Sequence, residues 1–370
     1  MFDFTIKQLM YNDRVRSLTV SASGVVQSNK FYPVFALDGK EFIFKPISQS
    51  KPLATAFFPL AECFWSEILE RYFPFHAVSY QRAVCKGYHE AEPKYLNEGC
   101  LSMNVLREGE KLVNLHEYFQ EHPDPSVNIQ YYKNYCLMYY DFVPIFRSEL
   151  FMERRDLAEQ LAMQILESML VGNENFHYEN VAFICDQDGN VLRLCPPLDN
   201  EFSLYFLFPD DLERQMTFFR IHLHGILGNA LDEDDALTKS SFLFENLQYI
   251  HIFFPQVVEA FVKGLQRLQK DLTDEVLLQE LEASLDEQSI SCDSCAWRVG
   301  RARYHDMDEI AAQRYERQLH TTEVDLKVFW RTLSAQLAAV IKALRSALSS
   351  YTPNPEFGTG FDSDFLPDDF

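Results

Sequence analysis

GNENFHYENVAFICDQDGNVLRLCPPLDNEFSL, residues 172–204, is the stretch on which the reading of this chain turns. The segment before it, RRDLAEQLAMQILESMLV (154–171), opens with charges and becomes strongly apolar, as a helix entering a core does. GNENFHYEN is then polar and without period, and reads as a loop. VAFI (181–184) and VLRL (191–194) are short apolar runs on either side of CDQDGN, whose Asp188-Gly189 is a hairpin signal. PPLDNEFSL follows at once, so Asp199 stands at the exit of the second strand. A buried helix, a polar loop, a tight hairpin and an acid at its exit would bring the loop side chains and Asp199 to one end of the hairpin.

Outward from this unit the chain divides into two kinds of pattern. SLTVSASGVV (17–26), FYPVFAL (31–37) and EFIFKP (41–46) read as strands, with Asp38-Gly39 as a turn between the last two. Pro46 and Pro52 bracket a loop. LAECFWSEILERYF (60–73) has apolar residues at helical spacing, and SYQRAVCKGY (79–88) and GCLSMNVLRE (99–108) are further strands. Residues 1–106 therefore form a small lobe of sheet plus one helix. Residues 107–350 form a larger, mostly helical lobe: NLHEYFQEH (114–122), YYKNYCLMYYDFVPIF (131–146), DEIAAQRYERQL (308–319) and VFWRTLSAQLAAVIKALRSAL (328–348) carry the helical pattern. Residues 351–370 have Pro, Gly and acid but no period, and read as a mobile acidic tail. The class is α+β, in two lobes.

Composition narrows the function. The chain has 370 residues and a formal net charge of −22, so a broad nucleic-acid or anionic-membrane surface is excluded and any phosphate site must be local. No apolar run approaches the roughly 18 residues that span a bilayer, and the N-terminus has no leader pattern. Scattered cysteines in apolar surroundings point to a cytoplasmic protein. Cys292 and Cys295 have no second ligand pair and read as a loop.

The residue types suit one chemistry. Lys45 closes the apolar strand FIFK, and Glu62 and Glu67 lie on the helix that follows. In protein kinases a strand Lys and a helix Glu are paired, a catalytic loop with D-x-x-x-x-N spacing follows, and an Asp beyond it holds the metal. Asn175 and Asn180 have that spacing, and Asp199 lies across the hairpin. A nucleoside triphosphate calls for a cation and a divalent ion against its phosphates, and Mg²⁺ takes oxygen ligands such as those of Asn180 and Asp199. Period alone leaves Glu62 and Glu67 open as the partner of Lys45.

The 172–204 stretch resembles the HipA-like serine/threonine kinase pattern, GNxDxHxxN, a hairpin, then PxYDxxxSL. SASGVVQSNKFYPVF (21–35) resembles that family's phosphate-binding loop, FIFKP its strand Lys, AECFWSEIL (61–69) its following helix, and GCLSMNVLREGEKL (99–112) the hinge strand of its Gram-positive members. The resemblance covers roughly residues 20–250 and implies a bilobed protein-kinase-like fold. It implies ATP and Mg²⁺ as cofactors and a protein Ser or Thr as substrate. Ser23, Gly24, Lys45 and Met103 would then contact nucleotide, Asn180 and Asp199 would hold the metal, Glu62 would be the partner of Lys45, and His177 would orient the loop. It also implies a bacterial setting and an antitoxin-like partner. Two departures stand out. Leu198 replaces a common Tyr, and Asn175 stands where the family has its general-base Asp. An amide cannot take up the substrate proton, and Glu174, one residue away, is rotated off the position. A kinase with an altered base, a pseudokinase acting as a nucleotide-dependent binding module, and a nucleotidyl transferase are the functions this leaves.

Overall fold

The computed structural model of the chain describes residues 2–5, 9–10, 34–37, 40–48, 58–73, 78–86, 95–128, 142–171, 173, 176–197, 246–247 and 249–273. They form an α+β protein, sheet-rich in its first part and helical in its second, which is the class read from the sequence.

Six strands make the first sheet: β1 (Phe2–Thr5), β2 (Leu9–Met10), β3 (Val34–Leu37), β4 (Lys40–Ser48), β5 (Tyr80–Lys86) and β6 (Tyr95–Met103), in the order β1-β5-β6-β4-β3-β2. All pairings are antiparallel except β1 with β5. Leu37 pairs with Lys40, as a connection through Asp38-Gly39 requires. Helix α1 (Phe58–Tyr72) packs on β5 and β6. A second, antiparallel sheet is built from β7 (Lys111–Asn114), β8 (Ala182–Cys185) and β9 (Val191–Leu194). Its β8–β9 turn is closed by Asp186, which accepts from the Asn190 N–H at 2.8 Å, and by Gly189 at φ +92°, a conformation L side chains rarely adopt.

The helices with described bounds are α2 (Leu115–Glu121), α3 (Val143–Phe146), α4 (Glu149–Glu153), α5 (Arg155–Val171) and α6 (Pro255–Thr273), and residues 246–247 and 249–253 are helical as well. Asn114 caps α2, its Oδ1 accepting from the Glu117 N–H at 2.7 Å. From Leu161 to Glu167 every residue of α5 is buried. That explains its nearly continuous apolar sequence: the helix is surrounded rather than laid on a surface. Two polar residues lie in that run. The Gln164 amide donates to the Cys195 carbonyl at 2.7 Å, whereas neither carboxyl oxygen of Glu167 has a hydrogen-bond partner among the described residues.

Several expectations change. Pro46 does not open a loop but lies inside β4, opposite Gly99. The β3 ladder has already ended at Ile43, so among the described residues the missing Pro N–H interrupts no pairing on that side, and the register slips just beyond, between Pro46 and Ser48. The expected helix over 131–146 is described only from Phe142, where a new helix starts with Pro144 in its first turn. The run GCLSMNVLREGEKL divides at a turn, and KLVN is a strand of the second sheet. The parallel β1–β5 pairing was not anticipated. Residues 17–26, 308–319, 328–348 and 351–370 lie outside the described residues. No helix among the described residues is long and apolar enough to cross a membrane.

Glu167 makes stability depend on pH in a defined direction. Burial pushes its carboxyl well above the ordinary 4.5. The folded protein therefore keeps a proton that the unfolded chain releases above that pH, so stability is full below about pH 4.5 and falls as pH rises toward the raised folded value. Glu167→Gln removes this loss. In urea unfolding the variant should gain on the wild type as pH rises above the ordinary carboxyl value of 4.5, and parallel curves would show that Glu167 does not titrate this way.

Candidate functional site

Lys45 is the fourth residue of an apolar run, Phe42–Lys45, on a strand flanked by β3 and β6. It pairs across the sheet with Cys100, and its ammonium meets Glu62 Oε1 at 2.6 Å. Both side chains are removed from water, 9% and 0% exposed. Helix geometry explains why Glu62 and not Glu67 makes this contact. Residues advance about 100° per step, so the two acids sit roughly 140° apart around α1. Glu62, Ser66, Leu69 and Phe73 are buried along one face, whereas Glu67 is half-exposed on another. Ser66, one turn after Glu62, fixes that face to the sheet. Its hydroxyl donates to the Cys63 carbonyl at 3.0 Å and accepts the Tyr80 N–H at 3.1 Å, at the start of β5.

The polar loop is held from three sides. Asn173 N–H donates to Ser168 O at the end of α5. The first N–H groups of α2 have no partner within their own helix; those of Leu115 and His116 donate to the carbonyls of Val181 and Tyr178 at 2.9 and 3.3 Å. Phe142 packs against Phe176 and Tyr178 with ring centroids 5.3 and 5.1 Å away. Inside the loop, His177 acts on backbone: its Nδ1 accepts the Glu179 N–H at 3.2 Å and its carbonyl accepts the Asn180 N–H at 2.8 Å. An accepting Nδ1 leaves the neutral ring its proton on Nε2. Asn180 is thereby placed at the end of a closed turn, with a carboxamide oxygen of the hard type that Mg²⁺ accepts.

Past β9 the chain runs Cys195-Pro196-Pro197. Cys195 is tied to α5 through Gln164, and Pro197 O faces Val78 N, just before β5, at 3.5 Å. The exit of the hairpin thus returns to the six-stranded sheet. Asp199 follows two residues later, outside the described residues, as do Asn175, Glu174, Ser23 and Gly24. Met103 ends β6, cross-strand from Phe42, and is 55% exposed.

One contact was not foreseen from the sequence. Arg193 of β9 grips Glu110 with two bonds, 2.6 and 2.8 Å, and also donates to Val105 O at 3.1 Å. Glu110 in turn accepts the Arg107 N–H at 2.7 Å. The Arg193 hydrogen bonds hold its carboxyl below the usual carboxylate range. The pair joins the segment leaving β6 to the hairpin. Its members are 83 positions apart, and nothing local in the sequence links them.

No protein-family model and no curated protein matches the chain. Among solved structures it is similar to a Helicobacter pylori proinflammatory kinase, CtkA, at 15% identity and a TM-score of 0.41, over 83% of this chain and 99% of that one.

Because Lys45 and Glu62 are both buried, removing one strands a charge in the interior. Glu62→Ala should cost about 3–5 kcal/mol, and the double replacement Lys45→Met with Glu62→Leu should recover most of that. Chemical denaturation decides it. A loss below about 1 kcal/mol in Glu62→Ala is what an exposed pair gives and would contradict the burial.

Proposed function

We propose that the chain binds ATP with Mg²⁺ and is a kinase-like phosphotransferase acting on a protein Ser or Thr. The observation that carries this reading is the buried Lys45–Glu62 pair joining strand β4 to helix α1. A stability role alone is poor reason to bury two opposite charges, since well-packed apolar residues do as well or better. An ammonium held in one direction by a carboxylate, in a chain whose Asn180 loop and hairpin follow in kinase order, suits a phosphate ligand.

In this reading Lys45 contacts the phosphates and Glu62 keeps its ammonium aimed. Asn180 and Asp199 hold Mg²⁺, which when bound offsets the phosphate charge. Ser23 and Gly24 cover the phosphates and Met103 borders the nucleotide. His177 serves through the backbone bonds described above and moves no proton. Asn175 sits where the substrate hydroxyl would be deprotonated. Its amide can position that hydroxyl but not accept its proton. This residue favours a second reading, in which the chain binds nucleotide and transfers nothing, or transfers the nucleotidyl group.

Calorimetry with Mg-ATP should show binding by the native chain, weakened in Lys45→Ala and losing its Mg²⁺-dependent part in Asp199→Ala; no heat at millimolar Mg-ATP would remove the reading. Incubation with ATP labelled on the γ- or the α-phosphate then separates the activities. Asn175→Asp should raise γ-transfer, by up to about 10²–10⁴-fold for a positioned base. No γ-transfer in that variant despite binding identifies a pseudokinase, and α-label on protein identifies nucleotidyl transfer.

A further inference from the structure

Helix α1 carries Glu62 near its beginning, but its end belongs to another part of the molecule. Trp65, Ile68, Leu69, Tyr72 and Phe73 lie in the large core formed with the later helices, not in the small cluster that joins Ile43 of β4 to Leu106, Leu112, Ala182, Ile184 and Cys195. The contact with α6 is specific. Phe73 stacks on Phe261, ring centroids 5.2 Å apart and planes 28° apart. One turn further along α6, Gly264 leaves room for that ring: a Cβ there would lie 2.7 Å from Phe73 Cε1 and 2.7 Å from the Tyr72 carbonyl oxygen. Another turn on, Arg267 donates to Arg71 O at 2.9 Å, taking up a carbonyl that the end of α1 leaves unused, and lies over the Tyr72 ring. Beyond it, Asp271 accepts the Tyr72 hydroxyl at 2.9 Å. Burial, then this hydrogen bond, holds the phenol above its ordinary range, so Tyr72 remains a donor. Successive turns of α6 thus grip the last three residues of this segment, 71–73.

We propose that α6 sets the position of α1, with Gly264 as its positioning residue, so that the fit of Phe73 on Gly264 determines whether Glu62 reaches Lys45. A helix transmits a displacement along its axis, because its backbone bonds resist internal shear. A methyl at Gly264 meets the Tyr72 backbone and a ring already stacked on Phe261, neither of which can swing aside. α1 must then shift over the six-stranded sheet on which it packs, and the 2.6 Å contact of Glu62 with Lys45 of β4, two side chains that must meet end to end, is the one that opens. The consequence for nucleotide rests on the reading above; the mechanical claim does not.

The test is the rate at which an amine-reactive acyl ester modifies Lys45 in the native full-length protein, followed by peptide mass spectrometry with exposed Lys263 as internal reference. Lys45, buried and ion-paired, should react slowly in the wild type. Gly264→Ala should raise its rate at least about tenfold, and Tyr72→Phe, which removes only the bond to Asp271, should raise it severalfold. Leu157→Ala, a cavity in α5 away from this contact, should lower the unfolding temperature without that increase under native conditions. If Gly264→Ala does not fold, Tyr72→Phe alone decides. The proposal is overturned if Lys45 in the α6-contact variants reacts no faster than in Leu157→Ala. Mg-ATP calorimetry on the same samples separates the two claims: a wild type that binds no nucleotide ends the functional reading, while the acylation rates still decide the mechanical one. If both hold, Gly264→Ala weakens Mg-ATP binding in step with its gain in Lys45 reactivity.

Discussion

A lysine ammonium and a glutamate carboxylate withdrawn from water in one another's company impose conditions on everything around them. Each charge alone would be intolerable in the interior, and together they break even only when their geometry is good. Lys45 must therefore be delivered by a strand that cannot slide, and β4 is paired with β3 on one side and β6 on the other. Glu62 must be delivered by a helix that cannot roll, and Ser66 fastens α1 to β5 one turn away. The six-stranded sheet, the packing of α1 and the grip of α6 at its far end all serve this one contact of 2.6 Å.

The pair also links two cores. Lys45 comes from a sheet whose β4 contributes Ile43 to a small apolar cluster with the hairpin, while Glu62 comes from a helix whose apolar face belongs to the large helical core. The Arg193–Glu110 bonds make a second link, from the hairpin to the segment after β6. The polar loop itself is held by backbone bonds from α2 and α5 and by the aromatic packing of Phe142, and His177 spends its acceptor inside the turn.

Much of this was legible in sequence, and for identifiable reasons. The strand FIFK, the helix after it and the 182–194 hairpin follow from short-range signals: apolar period, Asp-Gly turn chemistry and a Lys closing an apolar run. Their order along the chain is what suggested the site. Period alone left Glu62 and Glu67 open, the resemblance favoured Glu62, and the buried face of α1 gives the physical reason. Pro46 misled because its missing donor signals a loop when read locally, whereas in the sheet it falls where the β3 ladder has already ended. Arg193–Glu110 and Phe73–Gly264 were invisible because each joins residues far apart in the chain through packing alone. Asn175 and Asp199, on which the proposed chemistry turns, lie outside the described residues, and for them the sequence remains the guide.

The central claim is that Lys45, oriented by Glu62, receives a nucleotide phosphate. A crystal structure of the chain with Mg²⁺ and a non-hydrolysable ATP analogue tests it most directly. The account predicts electron density for the triphosphate with a phosphate oxygen within hydrogen-bonding distance of Lys45 Nζ, Glu62 still paired to the same ammonium, and the metal between the phosphates and the side chains of Asn180 and Asp199. A nucleotide bound elsewhere, with the Lys45–Glu62 pair closed and untouched, would contradict it.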